Sequence, residues 1–205
     1  MDARLHGIDL PETPVCEREV LRYAMLPAAA QVPESLPLEE TIAAARGRIR
    51  CRAVWRRYPL RWTQSELDLG FAVTASASLR RHLTGCHAIL LFACTAGVEM
   101  DRLIARASLR SSTHGLMMHA LGAERVESAC DALCGMLAEA FAQETLTSRY
   151  SPGYGDLPLA LQRDVMNALD CGRTVGITLT DSLLMKPTKS VTAILGVKAR
   201  EPGAE

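Results

Sequence analysis

The spacing of apolar and polar residues divides the chain into elements. Over 52–60 and 65–73 the two kinds alternate, the period of a strand with one covered face. The arginines and tryptophan of the first of these segments imply that its other face is solvated. Residues 87–95 form a nearly unbroken apolar run, which predicts a central strand buried on both faces. Over 114–145, Leu121, Val126, Ala129, Cys130, Leu133, Leu137 and Phe141 recur on one face of a long helix. Shorter helices are predicted over 17–25, 76–83, 98–107 and 38–50, the last with Glu39 and Glu40 at the positive end of its dipole. Asp156 is placed to cap a helix over 157–169, with Pro158 in its first turn and Gly172 ending it. Residues 174–180 and 190–197 read as strands joined by the loop 181–189.

Residues 1–14 have no clear period and read as a loose arm, and Pro27, Pro33 and Pro37 then break the chain. The expected division is an N-terminal arm and short helix over 1–37, a body over 38–198 and a frayed tail over 199–205, with the whole chain as one domain. Strands and helices are interspersed without a regular βαβ rhythm. That indicates an α+β fold, a mixed and largely antiparallel sheet packed by helices.

Composition narrows the functional classes. Lys plus Arg and Asp plus Glu number 23 each, so nothing advertises a nucleic-acid or acidic-membrane partner. The seven cysteines are odd in number, scattered and mostly in apolar settings, and residues 1–10 lack a secretory signal. Reduced thiols in a cytoplasm are the expectation. The longest apolar run, 88–94, is too short to span a bilayer. There is no G-x-x-x-x-G-K-[ST], G-x-G-x-x-G or G-x-S-x-G motif, which argues against the classes that need them.

Chemistry concentrates in RYSPGYGDLPL, residues 149–159. Arg149 offers a planar fork for a carboxylate. Pro152 and Pro158 stiffen the backbone, Gly153 and Gly155 permit close approach or positive φ, and Tyr154 presents a ring to a flat or cationic group. Such a set suits a zwitterionic, partly cationic ligand; a stiff helix connection with an exposed arginine is the competing reading. Glu139 and Glu144 could neutralise a cation near Arg149. Glu144 reads better as part of a solvated helix face, whereas Glu139 sits among apolar residues. Cys130 and Cys134 share a helix face near His114 and His119 but read as core thiols, with no metal expected. Lys186, Pro187, Lys189 and Ser190 open the last strand, as an ordinary hairpin or as a ligand-lining edge.

Two stretches, RYSPGYGDLPLALQRDVMNALD and GITLTDSLLMKPTKSVTAILG, carry a family resemblance. The chain resembles the S-adenosylmethionine-binding activation domain of vitamin B12-dependent methionine synthase, and more closely its free-standing homologues. The similarity is strongest over 85–197. The R-x-x-x-G-Y motif is Arg149, Gly153 and Tyr154, and P-x-x-S-V is Pro187, Ser190 and Val191. The resemblance implies a curved, mainly antiparallel sheet with helices around it and S-adenosylmethionine in a shallow groove. It implies Arg149 on the methionine carboxylate, with Pro152 and Gly153 lining the groove. Glu139 would be an acidic groove residue, with Ser190 also at the ligand. Tyr154 would face the corrin as the catalytic residue.

The implied activity is reductive methylation of cob(II)alamin. The chain has no D-x-H-x-x-G corrinoid motif and no paired-cysteine zinc motif. Cobalamin is therefore expected from a partner, a cobalamin-binding methionine synthase or related corrinoid protein, and the electron from an external reductant such as a flavodoxin. The alternatives are a non-catalytic docking or regulatory protein for a corrinoid protein, or a reactivator of another corrinoid methyltransferase.

Overall fold

The computed structural model describes residues 4–26 and 36–200. Its centre is a five-stranded sheet in the order β1 (His6–Asp9), β2 (Arg52–Pro59), β6 (Ala88–Thr95), β10 (Ser190–Ala199), β7 (Glu144–Leu146), with every neighbouring pair antiparallel. The apolar run at 88–95 forms β6 in the middle of the sheet. Every residue of it is buried because both faces are covered.

Leu90, Phe92 and Cys94 point into one core, with α1 (Glu17–Tyr23), α2 (Leu38–Ala45), α4 (Gly97–Arg110) and α5 (Ser112–Ala140) over them. Ile89, Leu91 and Ala93 point into the other. That second core is closed by α3 (Ala77–His82), α6 (Gln162–Ala168), α7 (Cys171–Thr174) and a small sheet of β3 (Arg61–Trp62), β4 (Leu67–Asp68) and β5 (Val73–Thr74). A further two-stranded ribbon joins β8 (Thr178–Leu179) to β9 (Met185–Lys186). No helix among the described residues is long and apolar enough to cross a membrane.

Several expectations need correction. The loose arm contains β1, which extends the main sheet along β2. The strand expected over 65–73 is two short strands separated by a turn. Gly70 has φ +78°, and a Cβ there would lie 3.1 Å from the Tyr58 side chain, so the chain bends where alternation suggested it ran straight. The long helix stops at Ala140, and 144–146 is an edge strand. The helix expected over 157–169 is a 3-10 turn, Leu159–Leu161, followed by α6. Gly172 lies inside α7 instead of ending a helix, and only 178–179 of the strand expected over 174–180 forms. The breaks at Pro27 and Pro33 and residues 201–205 of the expected tail lie outside the described residues, but Ala199, expected to fray, ends β10 paired with Glu144.

Gly196 in β10 shows how tightly the second core closes. A Cβ there would stand 2.5 Å from Cys86 Sγ and 2.8 Å from Leu83 Cδ2. Gly196→Ala is expected to destabilise the protein by about 1–3 kcal/mol through overpacking. Urea unfolding checks this, and an unchanged midpoint would contradict the packing described.

Candidate functional site

Arg149 is positioned by an irregularity in an edge strand. Leu146 faces Val197 and Tyr150 faces Ile194, so four steps along one strand match three along the other. One residue is therefore extra, the signature of a β-bulge. Glu144 and Leu146 belong to the face of the sheet covered by α1, α2, α4 and α5. Simple alternation would turn Arg149 to the opposite face. The bulge reverses the parity: Arg149 reaches α5, while Tyr150 packs into the core under α3. His82, at the end of α3, holds the bulge through its ring nitrogen, 2.9 Å from Ser148 O and 3.1 Å from Thr147 Oγ1.

The guanidinium lies half-buried between two carboxylates. Nη1 is 3.0 Å from Glu127 Oε2 and Nη2 is 3.0 Å from Asp131 Oδ1. Glu127 and Asp131 are one turn apart on α5, which places both beside one cation. Burial works against the charged guanidinium, but Cys130, Glu127, Asp131 and Cys134 around it outweigh that effect and raise its pKa. Burial pushes the Cys134 thiol itself up to about 11, so it is uncharged at neutral pH.

Beyond Arg149 the loop is braced from inside. Tyr150 Oη is 2.8 Å from Ser78 Oγ and donates to Tyr154 O at 3.2 Å. Gly153 (φ +92°) donates to Leu157 O at 2.9 Å. Gly155 (φ +54°) passes so close to α3 that a Cβ would meet Ser78 Oγ at 2.5 Å. The expected capping role of Asp156 goes to a different helix. Its carboxylate accepts from Ser76 Oγ at 2.5 Å, Ala77 N at 2.8 Å and Ser78 N at 3.1 Å, and also from Ser78 Oγ. It thus caps α3, not the segment that follows it. The Ser76 and Ser78 hydroxyls hold its carboxyl well below the usual carboxylate range.

The other predicted site residues separate. Pro152 is buried beneath the loop, and Gly153 is exposed. Tyr154 is 56% exposed, its ring edge-on to Tyr150 at 5.7 Å. Ser190 is buried, with Oγ 2.8 Å from Thr95 Oγ1 and 2.7 Å from Pro187 O, so its hydroxyl is engaged inside the protein. Glu139 is exposed in the last turn of α5, eight residues past Asp131 and so about 12 Å further along the axis. Glu144 is not on a solvated helix. In β7 it takes two bonds from Arg57, at 2.6 and 2.7 Å, and lies 3.0 Å from His87 Nε2. Sequence reasoning passed over Glu127 and Asp131. The available signal was two acids a turn apart in VESACDALC, beside the apolar face. Among the described residues no group of three or more His, Cys, Asp or Glu side chains could hold a metal ion.

An antiparallel sheet with helices on both faces is a fold shared with known proteins. The family model for the activation domain of vitamin B12-dependent methionine synthase matches residues 79–201, more than half of the chain. The chain belongs to that family. The crystal structure of the MetH reactivation domain bound to AdoHcy has the same fold, with a TM-score of 0.59 and 16% sequence identity, over 98% of this chain and 80% of that one. No curated protein matches the chain.

Proposed function

We propose that this activation domain is a free-standing reactivation subunit that binds S-adenosylmethionine at Arg149 and presents its methyl group to cobalamin held by a separate methionine synthase polypeptide. The observation that carries the reading is Arg149 clasped by Glu127 and Asp131 at the root of a braced loop. A guanidinium between carboxylates has both charges that an amino-acid group requires. The ligand carboxylate exchanges with one protein carboxylate at Arg149, and the freed acid meets the ligand ammonium. Glu127 and Asp131 take the acidic role that the resemblance assigned to Glu139. Pro152 and the backbone at Gly153 form the floor of the loop. Tyr154 offers an exposed ring beside the sulfonium and toward the corrin. Ser190 supports the start of β10 from within.

Partner-held cobalamin, reduced by one electron from an external reductant such as a flavodoxin, would supply the nucleophile for the methyl group, with S-adenosylhomocysteine as the leaving group. The role of this chain is to fix the methyl donor in position. Titration calorimetry with S-adenosylmethionine tests the proposal. Arg149→Ala is expected to weaken binding by about 1.5–3 kcal/mol, roughly 10- to 150-fold. Equal affinity in both proteins would remove Arg149 from the site. No binding by either would favour a docking role toward a corrinoid protein.

A further inference from the structure

A cavity lies on the other flank of α5. Beyond the paired stretch, β1 and β2 part, and their continuations diverge over the helical layer. The chain after β1 crosses α5 and is tied to it by Arg125, which donates to Thr13 O at 2.5 Å and Pro14 O at 3.0 Å. The chain before β2 is the turn that leaves α2. Between them opens a cavity of about 890 Å³. That is within the range of about 300–1,000 Å³ typical of small-molecule sites. Leu10, Ile42, Ile49, Leu121 and Ala129 give it an apolar floor.

Its charged groups are sorted by wall. Asp9 ends β1, Glu12 and Glu17 follow it, and Arg46 and Arg50 come from the segment before β2, while Arg125, which also lines the space, is already paired with Glu124. Among the described residues none of Asp9, Glu12, Glu17, Arg46 and Arg50 makes an ion pair or a side-chain hydrogen bond. The two walls face each other across the cavity without closing on one another. Neither Arg149 nor any residue of its loop lines this space.

We propose that the cavity binds a zwitterion with an apolar body, an α-amino acid or a molecule that ends in one. Its carboxylate meets Arg46 and Arg50, its ammonium meets the acidic wall, and its body rests on the apolar floor. A plain carboxylic acid or a plain amine would satisfy one wall and leave the other without a counter-charge. The site is independent of the Arg149 reading and stands or falls separately from it.

The test uses L-tryptophan, with indole-3-propionate and tryptamine as the same body lacking the ammonium or the carboxylate. Binding is followed by NMR titration of the full chain. Saturable binding of tryptophan is expected, with each half-molecule at least about tenfold weaker. Arg46→Gln/Arg50→Gln is expected to cost about tenfold or more for tryptophan. Arg149→Ala should leave it unchanged. Both arginines of the double variant are exposed, so its fold is expected to persist, and its thermal melt verifies that. The proposal is overturned if tryptophan shows no saturable binding, if indole-3-propionate binds equally well, or if the double variant binds like wild type. Loss of tryptophan binding in Arg149→Ala would also overturn it, by assigning the ligand to the other site.

Discussion

Replacing Glu124 with alanine is expected to lower the stability of the protein by about 3–5 kcal/mol, the scale for removing one partner of a buried ion pair. Glu124 is 2% exposed and Arg125 7%, so water compensates neither charge. The carboxylate takes two bonds from the Arg125 guanidinium, the Cys16 amide at 3.0 Å and the Ser128 hydroxyl at 3.0 Å. Arg125 in turn holds the carbonyls of Thr13 and Pro14. One change therefore strands a buried cation, an amide and a hydroxyl, and loosens the crossing between β1 and α1. For a chain of this size the melting temperature should fall by about 6–20 °C. Glu124→Leu with Arg125→Met should recover much of the loss, because an apolar pair leaves no charge unpaired. A single variant that melts like wild type would show that the pair does not hold the arm.

Asp156→Ala is expected to release the loop from α3 and, with it, the geometry of the proposed ligand site. A displacement near 1 Å can cost roughly 100-fold in an oriented reaction. The rate of methyl transfer from S-adenosylmethionine should therefore drop while Arg149 itself is untouched. Hydrogen exchange reads the loop directly, and the amides over 150–157 should lose protection in the variant. The pH dependence has a definite sign. The folded pKa of Asp156 is depressed, chiefly by the Ser76 hydroxyl, so the anchor is fully present above the unfolded value of about 3.9 and is lost only as pH falls below it. Loop protection at pH 5, corrected for intrinsic exchange, should match that at pH 7. A loop already loosened at pH 5 would mean that the carboxylate is not its anchor.

The central strands were legible because burial writes itself into the sequence as period and run length. The apolar run that became β6 and the alternation that became β2 needed no knowledge of their neighbours. Elements whose identity depends on a distant partner were not legible. β1 has only four residues and is a strand because β2 lies beside it. β7 was read as helix from its local composition, but it lies in register with β10, and its Glu144 meets Arg57 across the sheet. Asp156 carried a cap signal, yet its helix lies about eighty positions earlier in the chain. At the candidate site, Arg149 and its loop stood out by residue type. Their acidic partners did not, because i and i+4 acids on a long helix are ordinary unless a cation is known to face them.

The bulge before Tyr150 constrains how this family member can vary in length. Sidedness along an edge strand is a parity, either even or odd, and the extra residue sets that parity for everything after it. Loss or gain of one residue between Leu146 and Arg149 would exchange the two sides, sending the guanidinium toward α3 and the Tyr150 ring toward α5. A change of two would restore both. Length change in this short segment is therefore expected to be tolerated in pairs and refused singly, a rule that residue-by-residue substitution would never reveal.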